Sequence, residues 1–247
     1  MFTGAEPGQV SEPVEDRHQP VLAPLLDVLQ TMIERSFGMP RVVPSVGWFL
    51  IGDGGFRRFY GIRSVGRQED ATTASGPGAR LLVRPGSVPL RVALYYPDRL
   101  VRHLERHDPR EGLGDHNIDA FATLVEELDH LLTLASRVEA GRPVTLLELE
   151  LHAGVTKYLL AMHFIGRLTG RRRVSDFHRV WARHHLFEKY APGPGDDVER
   201  YREAARLARR YVCWLEKLGV AARRAELVRF HARTFGEQVN IIERQRG

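Results

Sequence analysis

Cysteine is nearly absent. Cys213 is the single copy, so no internal disulfide can form, and no C-x-x-C pair offers a zinc knuckle or a dithiol. The usage is that of a reducing compartment, and a cytoplasmic protein is expected. No run of about 18 uncharged apolar residues occurs, which excludes a spanning helix, and Met1 to Val10 has neither the basic nor the apolar region of an export signal. Several catalytic signatures are also missing. No G-x-x-x-x-G-K-[ST] loop is there to cradle a triphosphate. There is no G-x-S-x-G elbow and no H-E-x-x-H helix. The nearest miss is Glu126-Glu127-Leu128-Asp129-His130, which has Glu where the first zinc-binding His would stand.

The rest of the composition is that of a globular chain. Of 247 residues, 43% are hydrophobic and 27% charged, enough apolar material to bury a core without staples. Residues 1–19 are rich in Gly, Pro and acids and read as a disordered tail. Val21, Leu25, Val28, Leu29, Met32 and Ile33 then recur at helical spacing until Gly38 and Pro40 stop the run. Trp48 to Ile51 and Phe56 to Tyr60 flank Asp53-Gly54-Gly55 and predict a first hairpin. Residues 68–78 read as a flexible insert. Leu81 to Val83 and Leu90 to Tyr96, around Pro85-Gly86-Ser87, predict a second hairpin, and a helix follows from Asp98 to His107.

Beyond Gly112 and Gly114 strand signals vanish. Five helices are expected, at 117–137, 144–168, 175–190, 198–218 and 222–235, separated by Gly and Pro. The expected fold is therefore α+β. A tail (1–19) precedes a small domain with an antiparallel sheet and flanking helices (20–112), and an α-helical bundle follows (113–247). Charge is uneven: residues 1–166 carry 17 basic and 21 acidic side chains, residues 167–247 carry 19 and 10. Arg171 to Arg173 and the arginines of 198–224 could meet an anionic partner, and a weak, non-specific nucleic-acid contact is one reading of them. The other is a solvated helical surface.

Helical faces give a sharper set of candidates. Glu127 lies at the edge of an apolar arc holding Phe121, Leu124, Leu128 and Leu131, and Glu127-x-x-His130 has the spacing of the E-x-x-H element of di-iron bundles, which need two copies where this chain has one. His130 falls farther round and is expected to be wet. Glu148 and His152, an i,i+4 pair, border the core stripe of the next helix. In 175–190 the stripe of Val174, Phe177 and Trp181 continues at the same angles into His184, His185 and Glu188, so polar groups take over an expected buried face. A buried carboxylate or imidazole must be paired or metal-bound. Glu127, Glu148, His152, His184, His185 and Glu188 are thus the candidate ligands for a divalent metal, iron, manganese or zinc by donor type. Two functions compete: an interaction or regulatory protein without catalytic machinery, with a protein partner or self-association, and a metal-binding bundle with redox or hydrolytic chemistry.

Overall fold

A computed structural model describes residues 22–59, 78–84, 91–170, 174–189 and 198–245. The expected tail 1–19, nearly all of the insert 68–78, the turn of the second hairpin and Arg171 to Arg173 lie outside these residues.

Helix α1 (Ala23–Phe37) ends as its sequence predicts. Gly38 takes the left-handed conformation at φ +63° and its N–H returns to the Glu34 carbonyl. A 3-10 turn (Val46–Phe49) leads into a two-residue strand, β1 (Leu50–Ile51). The two strands of the expected second hairpin pair as predicted: β2 (Arg80–Arg84) runs antiparallel to β3 (Arg91–Tyr95), Leu82 opposite Ala93.

The first hairpin does not form. Asp53-Gly54-Gly55 instead opens a short helix, α2 (Asp53–Phe59), and β1 pairs parallel with β3, so the three-stranded sheet is mixed, in the order β1-β3-β2. The glycine preceding that triplet has a packing role. A Cβ on Gly52 would stand 2.0 Å from Oδ1 of Asp98, the same oxygen that accepts a hydrogen bond from the Asp53 N–H at 3.2 Å. Close approach of two segments, rather than a tight turn, set the glycine here. Phe56 packs on Tyr95 with ring centres 4.3 Å apart.

After α3 (Asp98–Arg106) come α4 (Ile118–Glu139) and α5 (Leu146–Leu168), then α6 (Asp176–Arg183), which runs on as a π-helical turn, His184–Glu188. The chain continues with α7 (Val198–Leu215), α8 (Val220–Ala232) and α9 (Phe235–Arg244). The helix expected at 222–235 is α8, and α9 beyond it was not expected. Thr234 starts α9 with a capping box, its hydroxyl accepting from the Glu237 N–H while the Glu237 carboxylate accepts from the Thr234 N–H.

Helix α5 lies between α4 and α7, and a Cβ on Gly154 would meet Ala208 of α7 at 2.8 Å, so small residues set that approach. The main core runs from Leu29 and Ile33 of α1 through Phe121 and Leu128 of α4 and Val155 of α5 to Tyr211 and Phe230. Because α5 is covered on several sides, Glu148, His152 and Thr156 are all buried with its apolar residues. Its polar groups therefore need protein partners, and these partners define the site. Among the described residues, no helix is long and apolar enough to cross a membrane.

Candidate metal centre

Glu126 and His130 sit one turn apart on α4 and face Glu150 of α5. One ligand atom from each, all within 4.8 Å of one another, makes a His/Glu cluster that could hold a metal ion. His130, expected to be wet, is buried, its side chain 10% exposed. Its Nδ1 lies 3.6 Å from Oε2 of Glu127, and its Nε2 lies 3.6 Å from Oε2 of Glu150 and makes no hydrogen bond. The same Glu127 oxygen accepts the Leu81 N–H of β2 at 2.6 Å, so Glu127 is fixed on the Nδ1 side of the ring.

Charges balance around this centre. Lys157 donates to Glu126, and Arg200 Nε stands 3.9 Å from Glu150. Burial opposes a charged imidazole at His130, but the flanking Glu127 and Glu150 carboxylates outweigh it and raise its pKa well above the ordinary value. Burial likewise raises the Glu127 carboxyl. For Glu126 burial is overcome by Lys157 and His130, and the carboxyl is lowered.

A second polar constellation lies deeper. Asp129 and His152 are fully buried, and the His152 Nδ1–H donates to Asp129 Oδ2 at 2.8 Å while the Thr156 hydroxyl donates to Oδ1 at 2.7 Å. On the other side of the ring, His152 Nε2 is 3.3 Å from His231 Nδ1, and His231 Nε2 is 3.0 Å from the Ser136 hydroxyl. With both rings neutral every group is satisfied: Ser136 donates to His231, His231 to His152, and His152 to Asp129. Burial, with His152 and Arg137 nearby, pushes the His231 pKa down to about 3. The Asp129 carboxyl is lowered, since His152 and Thr156 overcome the cost of its burial.

The six residues singled out from the sequence are engaged in separate pairings. Glu127 flanks His130, and His152 belongs to the Asp129 network. Glu148 takes the Arg137 guanidinium, Nε at 3.0 Å and Nη2 at 2.6 Å, in an ion pair that is almost fully buried. His185 Nε2 is 3.1 Å from Asp115. His184 and Glu188, 58% and 45% exposed, pair with each other at 3.3 Å on the surface. The stripe that was to bury them is split: Phe177 is 74% exposed, whereas Trp181 packs against the core and the His185 side chain is only 10% exposed, and Ala182, Leu186 and Phe187 turn inward. The phase also shifts at the π turn, where the Lys189 N–H reaches back five residues to the His184 carbonyl. Since among the described residues Glu188 pairs with His184 and Arg209, both partly exposed, Glu188→Ala should change unfolding free energy by no more than about 0.5 kcal/mol in a urea titration. A loss of several kcal/mol would restore a buried role.

Sequence reasoning singles out none of Glu126, Asp129, His130, Glu150, Ser136 and His231 as a site residue, although His130 is weighed in the E-x-x-H element. One signal was present for Asp129: Asp129 and Thr133 on α4, and His152 and Thr156 on α5, are matching i,i+4 polar pairs within apolar helices. Part of the basic end is neutralised internally, Arg206 and Arg210 by Glu243, and Arg229 and Arg233 by Glu226. Comparison with protein-family models, with curated proteins and with solved structures yields no match.

Proposed function

We propose that this protein binds one divalent metal ion between α4 and α5, with Glu126, His130 Nε2 and Glu150 as ligands. The observation that carries this reading is the buried Nε2 of His130, which has no hydrogen-bond partner and faces Glu150 within the cluster. A buried nitrogen of this kind calls for a partner. Glu127 completes the arrangement from the far side. A metal-bound imidazole characteristically gives its other N–H to a carboxylate, which fixes the ring and raises its basicity, and Glu127 stands at Nδ1 with its own oxygen anchored by Leu81. It is a positioning residue here, not a ligand.

Two carboxylates and one imidazole suit manganese, iron or zinc. Three protein ligands leave positions for water, and water on such an ion is acidified into a nucleophile, so hydrolytic chemistry is the class this donor set serves most directly. Lys157 and Arg200 offset the two carboxylates in the metal-free protein, and the ion takes over that neutralisation when it binds.

The test is metal content by mass spectrometry on protein purified without chelator, followed by titration with manganese and zinc. One equivalent is expected in the parent chain, with Glu150→Gln, which keeps size and polarity but not charge, binding far more weakly. A parent chain that takes up no ion at this cluster would refute the reading. The exposed valines of α8, Val220 at 83% and Val228 at 40%, favour a second one, in which the protein binds a partner or itself and performs no chemistry. A metal-free chain that self-associates through that face would fit it.

A further inference from the structure

Three more histidines gather on the opposite end of α3, away from any role above. His103 and His107 are one turn apart on that helix and its C-terminal cap, with ring centres 4.9 Å apart, and His116 brings a third ring to 5.2 Å from His107. We propose that His103, His107 and His116 form a second site, built of imidazoles alone, for a late first-row divalent ion such as copper, nickel or zinc.

Spacing is the first argument. Imidazoles bound to one ion at about 2.0–2.1 Å, in tetrahedral or square geometry, place their ring centres about 4.5–5.2 Å apart, which is the separation of both neighbouring pairs here. The ring nitrogens do not converge as they stand, and rotation of the exposed rings would bring them onto one ion. Tautomer is the second. His103 Nε2 lies 2.7 Å from the His116 carbonyl oxygen. A carbonyl can only accept, so Nε2 carries the proton, and the neutral ring keeps its lone pair on Nδ1. A backbone carbonyl holding the second ring N–H is a recurrent support for a metal-ligating histidine. The third argument is that the loop is held in place. Asn117, 1% exposed, donates from its amide nitrogen to the His107 carbonyl at 3.1 Å and the Gly112 carbonyl at 2.7 Å, and accepts the Gly114 N–H at 2.9 Å. These bonds close residues 107–117 onto the end of α3 and deliver His116 to the other two rings.

His107 and His116 are exposed, so an ion can enter and the rings can turn to present a nitrogen. Arg106 donates from Nε to the Arg102 carbonyl, and its charge also stands near His107. Imidazole donors without carboxylates favour copper, nickel and zinc over manganese or magnesium, which sets this site apart in preference from the α4/α5 cluster.

The full chain is titrated with Ni(II) and Zn(II) by calorimetry, and histidine accessibility is mapped with diethylpyrocarbonate and peptide mass spectrometry. Ni(II) should protect His103, His107 and His116 from modification. His107→Ala, a change at an exposed position outside the core, should weaken that binding event about tenfold or more and abolish the protection. Unchanged affinity in His107→Ala, or full modification of the three rings at saturating Ni(II), would overturn the proposal. Because the footprint is read residue by residue, failure of the α4/α5 site leaves this result intact, and the reverse also holds.

Discussion

Asp129→Ala should lower the unfolding free energy by roughly 2–6 kcal/mol, the cost of leaving two buried hydrogen-bond donors unpaired at about 1–3 kcal/mol each. Asp129 and His152 are both completely buried, and the carboxylate collects the His152 Nδ1–H and the Thr156 hydroxyl in one place. Removing it strands an imidazole and a hydroxyl in the core between α4 and α5, and it loosens the link through His231 to α8. Such a loss is a large part of the roughly 5–15 kcal/mol that holds a domain together, and a fall in melting temperature of about 10 °C or more should accompany it. Urea titration of the parent and the variant checks this. A difference under about 1 kcal/mol would mean that the network is incidental to stability.

Acid should destabilise the protein well before its carboxylates protonate, and His231 is the reason. The folded chain refuses a proton on this ring until about pH 3, whereas the unfolded chain accepts one below about 6.5. The unfolded state therefore binds more protons throughout that window, and stability falls as pH drops through it, by up to about 1.4 kcal/mol per pH unit. Between pH 6.5 and 4 the loss should reach about 3 kcal/mol. His130 acts with the opposite sign and elsewhere: its raised pKa supplies stability that is fully present below pH 6.5 and is lost only as pH climbs through the folded value. It adds no slope in the acid window. Denaturation of the parent and His231→Gln at pH 6.5, 5.5 and 4.5, with chelator present, should give a steep decline for the parent and a flatter one for the variant. Parallel curves would contradict the assignment.

The apolar pattern of the sequence located most of the helices because burial, which made that pattern, also made the fold. Leu124, Leu128 and Leu131 of α4 and Ala204, Ala208 and Tyr211 of α7 lie where a 3.6-residue period places them. The failures have separate physical causes. Asp53-Gly54-Gly55 resembles a hairpin turn, but its neighbour Gly52 accommodates Asp98, a residue 46 positions away that local pattern cannot report. Phe177 is apolar and exposed, so a face counted from it carries His184 and Glu188 to solvent.

The site was legible in kind but not in membership. Glu127, Glu148 and His152 were expected to border the core and are buried and paired, whereas His130, expected to be wet, is buried as well. Which carboxylate meets which imidazole depends on the register and rotation of the two helices, and the sequence does not encode those quantities locally. Thus Glu148 found Arg137, His152 found Asp129, and Glu150 found His130.

The central claim is that His130 Nε2 serves as a metal ligand. Isotropic shifts of the His130 ring nitrogens, followed by NMR in selectively 15N-histidine-labelled protein while zinc is added, test it most directly. The account predicts that Nε2 of His130 moves to the metal-bound position with one equivalent of zinc, that Nδ1 keeps its proton toward Glu127, and that Glu150→Gln suppresses the change. His130 resonances that stay in place at saturating zinc, in a chain that remains folded, would contradict it.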